Sequence, residues 1–138
     1  MTELDIEALL RPKSVAIIGA SDDGTRTAGR PLRYLRRHGY KGRVYPINPR
    51  RETVQGEPAW PDLVSLPEVP DHVYIVLGTE PAITALEACA EAGVRTASIL
   101  ADGFAEDGPA GEARQHRVAE IAKAGGMRVL GPNSMGVI

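Results

Sequence analysis

Five apolar runs recur along the chain, and between them apolar residues fall at helical spacing. Ser14–Ile18, Val44–Ile47, Val73–Leu77, Val94–Leu100 and Met127–Leu130 are short runs rich in valine and isoleucine. Such runs suit parallel strands covered on both faces. Pro31–His38, Pro81–Ala92 and Ala110–Ala124 read as helices. Leu32 and Leu35 share the inward face of the first, and Ile83, Leu86 and Ala90 that of the second. Pro31 suits a first helical position, while Gly39, Gly93 and Gly125-Gly126 are stop signals. Thr79 or Glu80 is expected to cap the second helix. A short helix, Leu4–Leu10, leads in and ends before Pro12. Residues 49–70 hold six prolines or glycines and Trp60, which predicts a loop with one helical turn at Pro61–Leu66. The alternation predicts the α/β class. The expected fold is Rossmann-like: a doubly wound, five-stranded parallel sheet with right-handed crossovers and helices on both faces.

A chain of 138 residues is expected to form one domain, residues 1–138. Its single cysteine, Cys89, excludes a disulfide framework and a thiol-rich metal site. Cys89 lies near the apolar face of its helix and reads as a small core residue. His38, His72 and His116 are expected at the surface. No set of nucleophile, base and orienting residue is visible, so no catalytic residue is assigned. The first thirty residues lack the apolar region of a signal peptide, and no run approaches about 18 apolar residues. A cytoplasmic protein without a membrane partner is the expectation.

Charge sharpens the picture. Net charge is −2, but Thr25–Arg51 carries nine basic side chains and no acidic one. They are Arg26, Arg30, Arg33, Arg36, Arg37, Lys41, Arg43, Arg50 and Arg51. A focused positive region favours a polyanionic ligand. Nucleic acid is not expected, because no aromatic platform or nucleic-acid motif accompanies the charge.

The stretch Gly19-Ala20-Ser21-Asp22-Asp23-Gly24 follows the first strand, and its loop runs on to Gly29. Glycines let backbone approach a ligand, and the following helix offers free N–H groups and a positive dipole end. The loop therefore reads as a phosphate cradle. Ser21 replaces the second glycine of the dinucleotide fingerprint G-x-G-x-x-G, and no G-K-[ST] closes a Walker loop. In such sheets the ligand lies beyond the carboxyl ends of the strands. The other loops there are Asn48–Arg51, Gly78–Glu80, Ala101–Phe104 and Gly131–Gly136. NAD sites carry an acid about 20 residues after the glycines. Here the second strand ends Ile47-Asn48-Pro49-Arg50-Arg51. Arginine suits a phosphate ester on ribose, which both NADP and coenzyme A (CoA) carry.

Three runs resemble the CoA-binding domain of NDP-forming acyl-CoA synthetases, among them the ADP-forming acetate–CoA ligases and, more distantly, the succinyl-CoA synthetase alpha subunit. They are Pro12–Ser21, Tyr45–Pro49 and Gly131–Ile138, in order and with matching spacing. The resemblance implies a domain that binds CoA or acyl-CoA. The whole enzyme would convert acid, CoA and ATP with magnesium through acyl phosphate and phosphohistidine. It also implies that this chain is the first domain of a larger ligase, with further domains or subunits as partners. By position the CoA contacts would be Gly19, Ala20, Ser21 and Asp22, a basic contact among Arg43, Arg50 and Arg51, and Leu100, Ala101 and Asp102. Arg26, Asn48, Pro49 and Gly78 flank these positions and complete the candidate set. Gly78 stands where many members have proline, and Ser134 where many have cysteine. The same domain type occurs in CoA-sensing modules of protein acetyltransferases. An NADP-binding oxidoreductase fragment is the other alternative.

Overall fold

A computed structural model describes residues 3–101 and 105–131. The elements follow the expected alternation. Helix α1 (Glu3–Leu10) precedes β1 (Ser14–Ile18), and α2 (Arg30–Arg37) leads to β2 (Arg43–Ile47). A two-stranded hairpin, β3 (Thr53–Val54) and β4 (Glu57–Pro58), precedes β5 (His72–Ile75). Then come α3 (Thr79–Ala92), β6 (Thr96–Ile99), α4 (Pro109–Gly125) and β7 (Arg128–Leu130). The main sheet has five strands in the order β2-β1-β5-β6-β7, and every neighbouring pair is parallel. The chain leaves β1 toward one edge and later returns to β1's other side as β5. That reversal makes β1/β5 the switch point of the sheet, where post-strand loops diverge and open a crevice.

Alternation along the strands divides the core. Ala16, Tyr45, Ile47, Val73, Ile75, Ala97 and Ile99 pack with Ile83, Leu86 and Cys89 of α3 and with Val118 and Ile121 of α4. Val15, Ile17 and Val44 face the other way and pack with Leu32 of α2 and Val54 of the hairpin. Helices thus cover both faces, as expected. Cys89 is fully buried, and burial pushes its thiol up to about 12. Gly93 (φ +82) and Gly126 (φ +65) end α3 and α4 in the left-handed conformation that favours glycine.

Four expectations change. The region 49–70 holds the β3–β4 hairpin, and Pro61–Leu66 forms turns and bends rather than a helical turn. Gln55 and Gly56 link its strands, both with positive φ (+49 and +80), as a two-residue type I′ turn requires. Second, α3 starts from Gly78 with no side-chain cap, and Thr79 and Glu80 belong to its first turn. Third, β5 starts one residue early, at His72, and stops at Ile75, β6 is trimmed at both ends and β7 at its start, the trimmed residues lying in loops. Fourth, His72 is not at the surface, although His38 and His116 are exposed. His72 opens β5 with 3% exposure. Thr96 donates its hydroxyl to the Asp71 carbonyl (2.9 Å), so its oxygen accepts the proton on His72 Nδ1 (2.7 Å). The bare Nε2 then accepts from the Ser98 hydroxyl (2.9 Å). The ring is neutral and fully partnered, and burial lowers its pKa to about 4.

Trp60, the chain's single tryptophan, packs edge-on against Tyr45 with ring centres 5.0 Å apart. Its carbonyl accepts the Asn48 N–H (2.9 Å). Among the described residues no helix is long and apolar enough to cross a membrane.

Candidate functional site

The chain turns sharply where β1 ends. Gly19 has φ +89, and a Cβ there would lie 2.4 Å from the Val76 carbonyl oxygen and 2.7 Å from Leu77 Cδ2. Glycine is therefore demanded by the chain leaving β5, before any ligand is considered. Gly19 N–H donates to the Ile47 carbonyl and Val76 N–H to the Ile18 carbonyl, which locks three strand ends together.

Residues 21–29 form an arch. Ser21 N–H donates to the Ala28 carbonyl across its neck (3.1 Å). Inside, Ser21 Oγ accepts the Asp23 N–H (3.1 Å), and Asp23 Oδ1 accepts the hydroxyl (2.6 Å) and N–H (2.9 Å) of Thr25. The Thr25 hydroxyl, and then its N–H, hold the Asp23 carboxyl below the usual carboxylate range. A 3₁₀ turn, Thr27–Gly29, carries the arch into α2. The N–H groups of Ala20, Asp22 and Gly24 find no acceptor among the described residues.

The second loop is tied to the first. Asn48 Nδ2 donates to the Ala20 carbonyl (3.1 Å), while Asn48 Oδ1 accepts the Arg50 N–H (2.9 Å). Arg51 reaches the Asp22 carboxylate at 3.0 Å and donates to the Thr53 carbonyl. The Arg50 side chain is exposed and has no partner among the described residues. Gly78 lies after β5, where a Cβ would meet only Pro81 Cδ at 4.0 Å. Leu100 N–H donates to the Ile75 carbonyl, and Ala101 packs partly buried against the core.

Gly19, Ala20, Ser21, Asp22, Asn48, Pro49, Arg50 and Arg51 thus come together at one edge. Gly78, Leu100 and Ala101 follow β5 and β6 at that same edge. Arg26 lies on the arch, 3.7 Å from the Asp23 carboxylate and mostly exposed. Asp102 and Pro132–Ile138 lie outside the described residues. Arg43 does not join the group. It pairs in register with Ser14, at the strands' amino end, and Glu68 binds its guanidinium. Arg43, and then the Tyr45 hydroxyl, hold the Glu68 carboxyl down to about 2.

The basic span is less bare than its sequence implies. Asp23, Glu57, Glu68 and Asp22, all from outside it, pair with Arg26, Arg36, Arg43 and Arg51. Arg30, Arg33, Arg37, Lys41 and Arg50 pair with no acid among the described residues, and Arg33 donates instead to the Gly24 carbonyl. A groove of about 850 Å³ begins at Thr27 and Arg30 and runs along α2 past Tyr34 and Tyr74, with Leu100 in its wall. Its size is that of a cofactor site. Among the described residues no cluster of His, Cys, Asp or Glu could hold a metal ion.

Gln55 is the site residue that reading the sequence misses. Its N–H donates to Asp22 Oδ1 (2.7 Å). Its side-chain Nε2 donates to the Ser21 (3.0 Å) and Gly29 (2.9 Å) carbonyls. The available signal was Gln55-Gly56 between Thr53-Val54 and Glu57-Pro58, a two-residue turn between short strands.

A family profile described as "CoA binding domain" matches residues 13–138. This chain belongs to that family. Acetate–CoA ligase (ADP-forming) II of Archaeoglobus fulgidus is 36% identical over 138 residues, covering 97% of this chain and 20% of that protein. The alpha subunit of acetate–CoA ligase (ADP-forming) I of Pyrococcus furiosus is 32% identical, covering 98% of this chain and 30% of the subunit. Among solved structures, the dinucleotide-forming acetyl-coenzyme A synthetase 1 of Ca. Korarchaeum cryptofilum, in complex with phosphate and ADP, superposes with a TM-score of 0.90 at 34% identity. That match covers 96% of this chain and 28% of the synthetase chain. This chain spans less than a third of each of these larger proteins, and the family expected from the three sequence runs is the family found.

Proposed function

We propose that this chain binds CoA or an acyl-CoA at the carboxyl edge of its sheet, as the CoA-binding part of an ADP-forming acid–CoA ligase. The observation that carries the reading is the arch at the β1/β5 switch point, tied by Asn48 to a loop bearing Arg50. Free N–H groups of Asp22 and Gly24 suit pyrophosphate oxygens. Arg51 and the Gln55 N–H neutralise the Asp22 carboxylate, which would otherwise repel a phosphate there. Arg50 is the candidate for the ribose phosphate, and the groove along α2 offers an apolar wall to the rest of the ligand.

Acid activation, ATP and phosphohistidine chemistry belong, in this reading, to further domains or subunits. The relatives support it, since this chain spans 20% and 30% of the two ligase proteins named above. A cytoplasmic location fits such a substrate. Calorimetric titration with CoA, acetyl-CoA, NADP and NAD side by side tests the proposal. Saturable binding of CoA or acetyl-CoA, with neither NADP nor NAD competing, is expected. Tighter binding of NADP would overturn it.

A further inference from the structure

Resting on the CoA reading above, we propose that Gln55 is a positioning residue for the phosphate arch, and that the β3–β4 hairpin is therefore part of the ligand site. A type I′ turn favours Asn or Gly at its first central position, because both tolerate positive φ. Glutamine at φ +49 is a poor local choice. A local choice that contradicts its backbone needs an outside reason. Here it lies in the side chain. Both Nε2 hydrogens are used, one on the carbonyl of Ser21 and one on that of Gly29, the first and last residues of the arch. Gln55 N–H also fixes Asp22, and Arg51, two residues before the hairpin, holds the same carboxylate.

The consequence is geometric. The bonds across the neck fix which way the peptides at Ser21 and at Gly29 face. With the Ser21 carbonyl drawn back toward Gln55, the N–H of the same peptide, that of Asp22, faces away and is left for an incoming anion. A loop held in its binding conformation avoids the entropy of ordering when ligand arrives. Gln55 touches no ligand in this scheme; it acts through the arch.

Two variants test it. Gln55→Gly keeps the turn, relieves the positive φ and deletes the side-chain bonds. Gln55→Met keeps length and bulk without donors. Each is measured for thermal midpoint, for amide hydrogen exchange of residues 20–29, and for affinity to CoA and to dephospho-CoA. The expected result is faster exchange confined to the arch and about tenfold weaker binding of both ligands. For Gln55→Gly the thermal midpoint should not fall. Equal loss for the two ligands marks the shared pyrophosphate, which a defect at the ribose phosphate would not produce. Unchanged arch exchange, or unchanged affinity in a folded variant, overturns the proposal. If the unaltered chain fails to bind CoA, the function reading itself falls, and this role falls with it.

Discussion

At the scale of single residues, Arg50 and His72 make the clearest demands. Arg50 is exposed beside the arch, and no acid among the described residues competes for it. A charged hydrogen bond to a ribose phosphate is worth roughly 1.5–3 kcal/mol when well made, and less when solvent reaches it. Arg50→Ala should therefore lower the preference for CoA over dephospho-CoA by up to about tenfold, leaving dephospho-CoA binding nearly unchanged in parallel titrations. His72 concerns stability. Its native ring stays neutral down to about pH 4, whereas an unfolded histidine takes a proton below 6.5. The unfolded state thus binds more protons as pH falls, so this contribution is whole above pH 6.5 and drains toward pH 4. Urea unfolding at pH 7.5 and 4.5 should differ by roughly 2–3 kcal/mol on this account. His72→Gln should flatten that difference. Glu68, held down to about 2 by Arg43 and Tyr45, loses its contribution as pH falls from about 4.5 toward 2, so it only begins to add to the difference at the lower edge of the window. The sequence hid His72's burial because its partners, Thr96 and Ser98, are distant in the chain and look like ordinary strand polar residues.

Elements show what kind of signal survives in a sequence. The parallel strands were legible because Val, Ile and Ala runs meet few alternatives, and the helix ends because Gly93 and Gly126 mark them. The hairpin was not, since two-residue strands carry too short a pattern and prolines on either side read as loop. The glycines of the loop after β1 were legible as glycines, but the packing contact at the first of them was not. Gly19 is set by contact with the carbonyl of Val76, so Gly19→Ala should cost the fold roughly 2–4 kcal/mol with or without ligand. Gly78, at φ −64 with open space, should accept alanine within about 0.5 kcal/mol. Thermal melts of the two variants check the contrast. If both melt alike, the strand-end contact is not what selects Gly19. Weakened CoA binding in Gly78→Ala alone would instead mark a ligand approaching that position.

For the whole molecule, the switch point explains why residues as far apart as Ser21, Arg50 and Leu100 share an edge. The order of the strands creates that edge, and the alternation of elements is enough to foresee it. It is not enough to sort basic residues between the two edges: Arg43 and Arg50 are seven positions apart in sequence, yet a strand separates them. No catalytic residue is assigned to the chain, so acetate, CoA and ATP with magnesium should yield no acyl-CoA when incubated with these 138 residues alone. A coupled assay that detected turnover would place the chemistry here after all. The position of Trp60 adds a practical benefit. One indole, with no other in the chain to blur it, sits edge-on to Tyr45 on a residue whose main-chain carbonyl accepts the Asn48 N–H. Its emission is thus an intrinsic optical gauge of the loop that Asn48 anchors. Titrations can be followed by light alone, on unlabelled protein, at concentrations too dilute for a calorimeter.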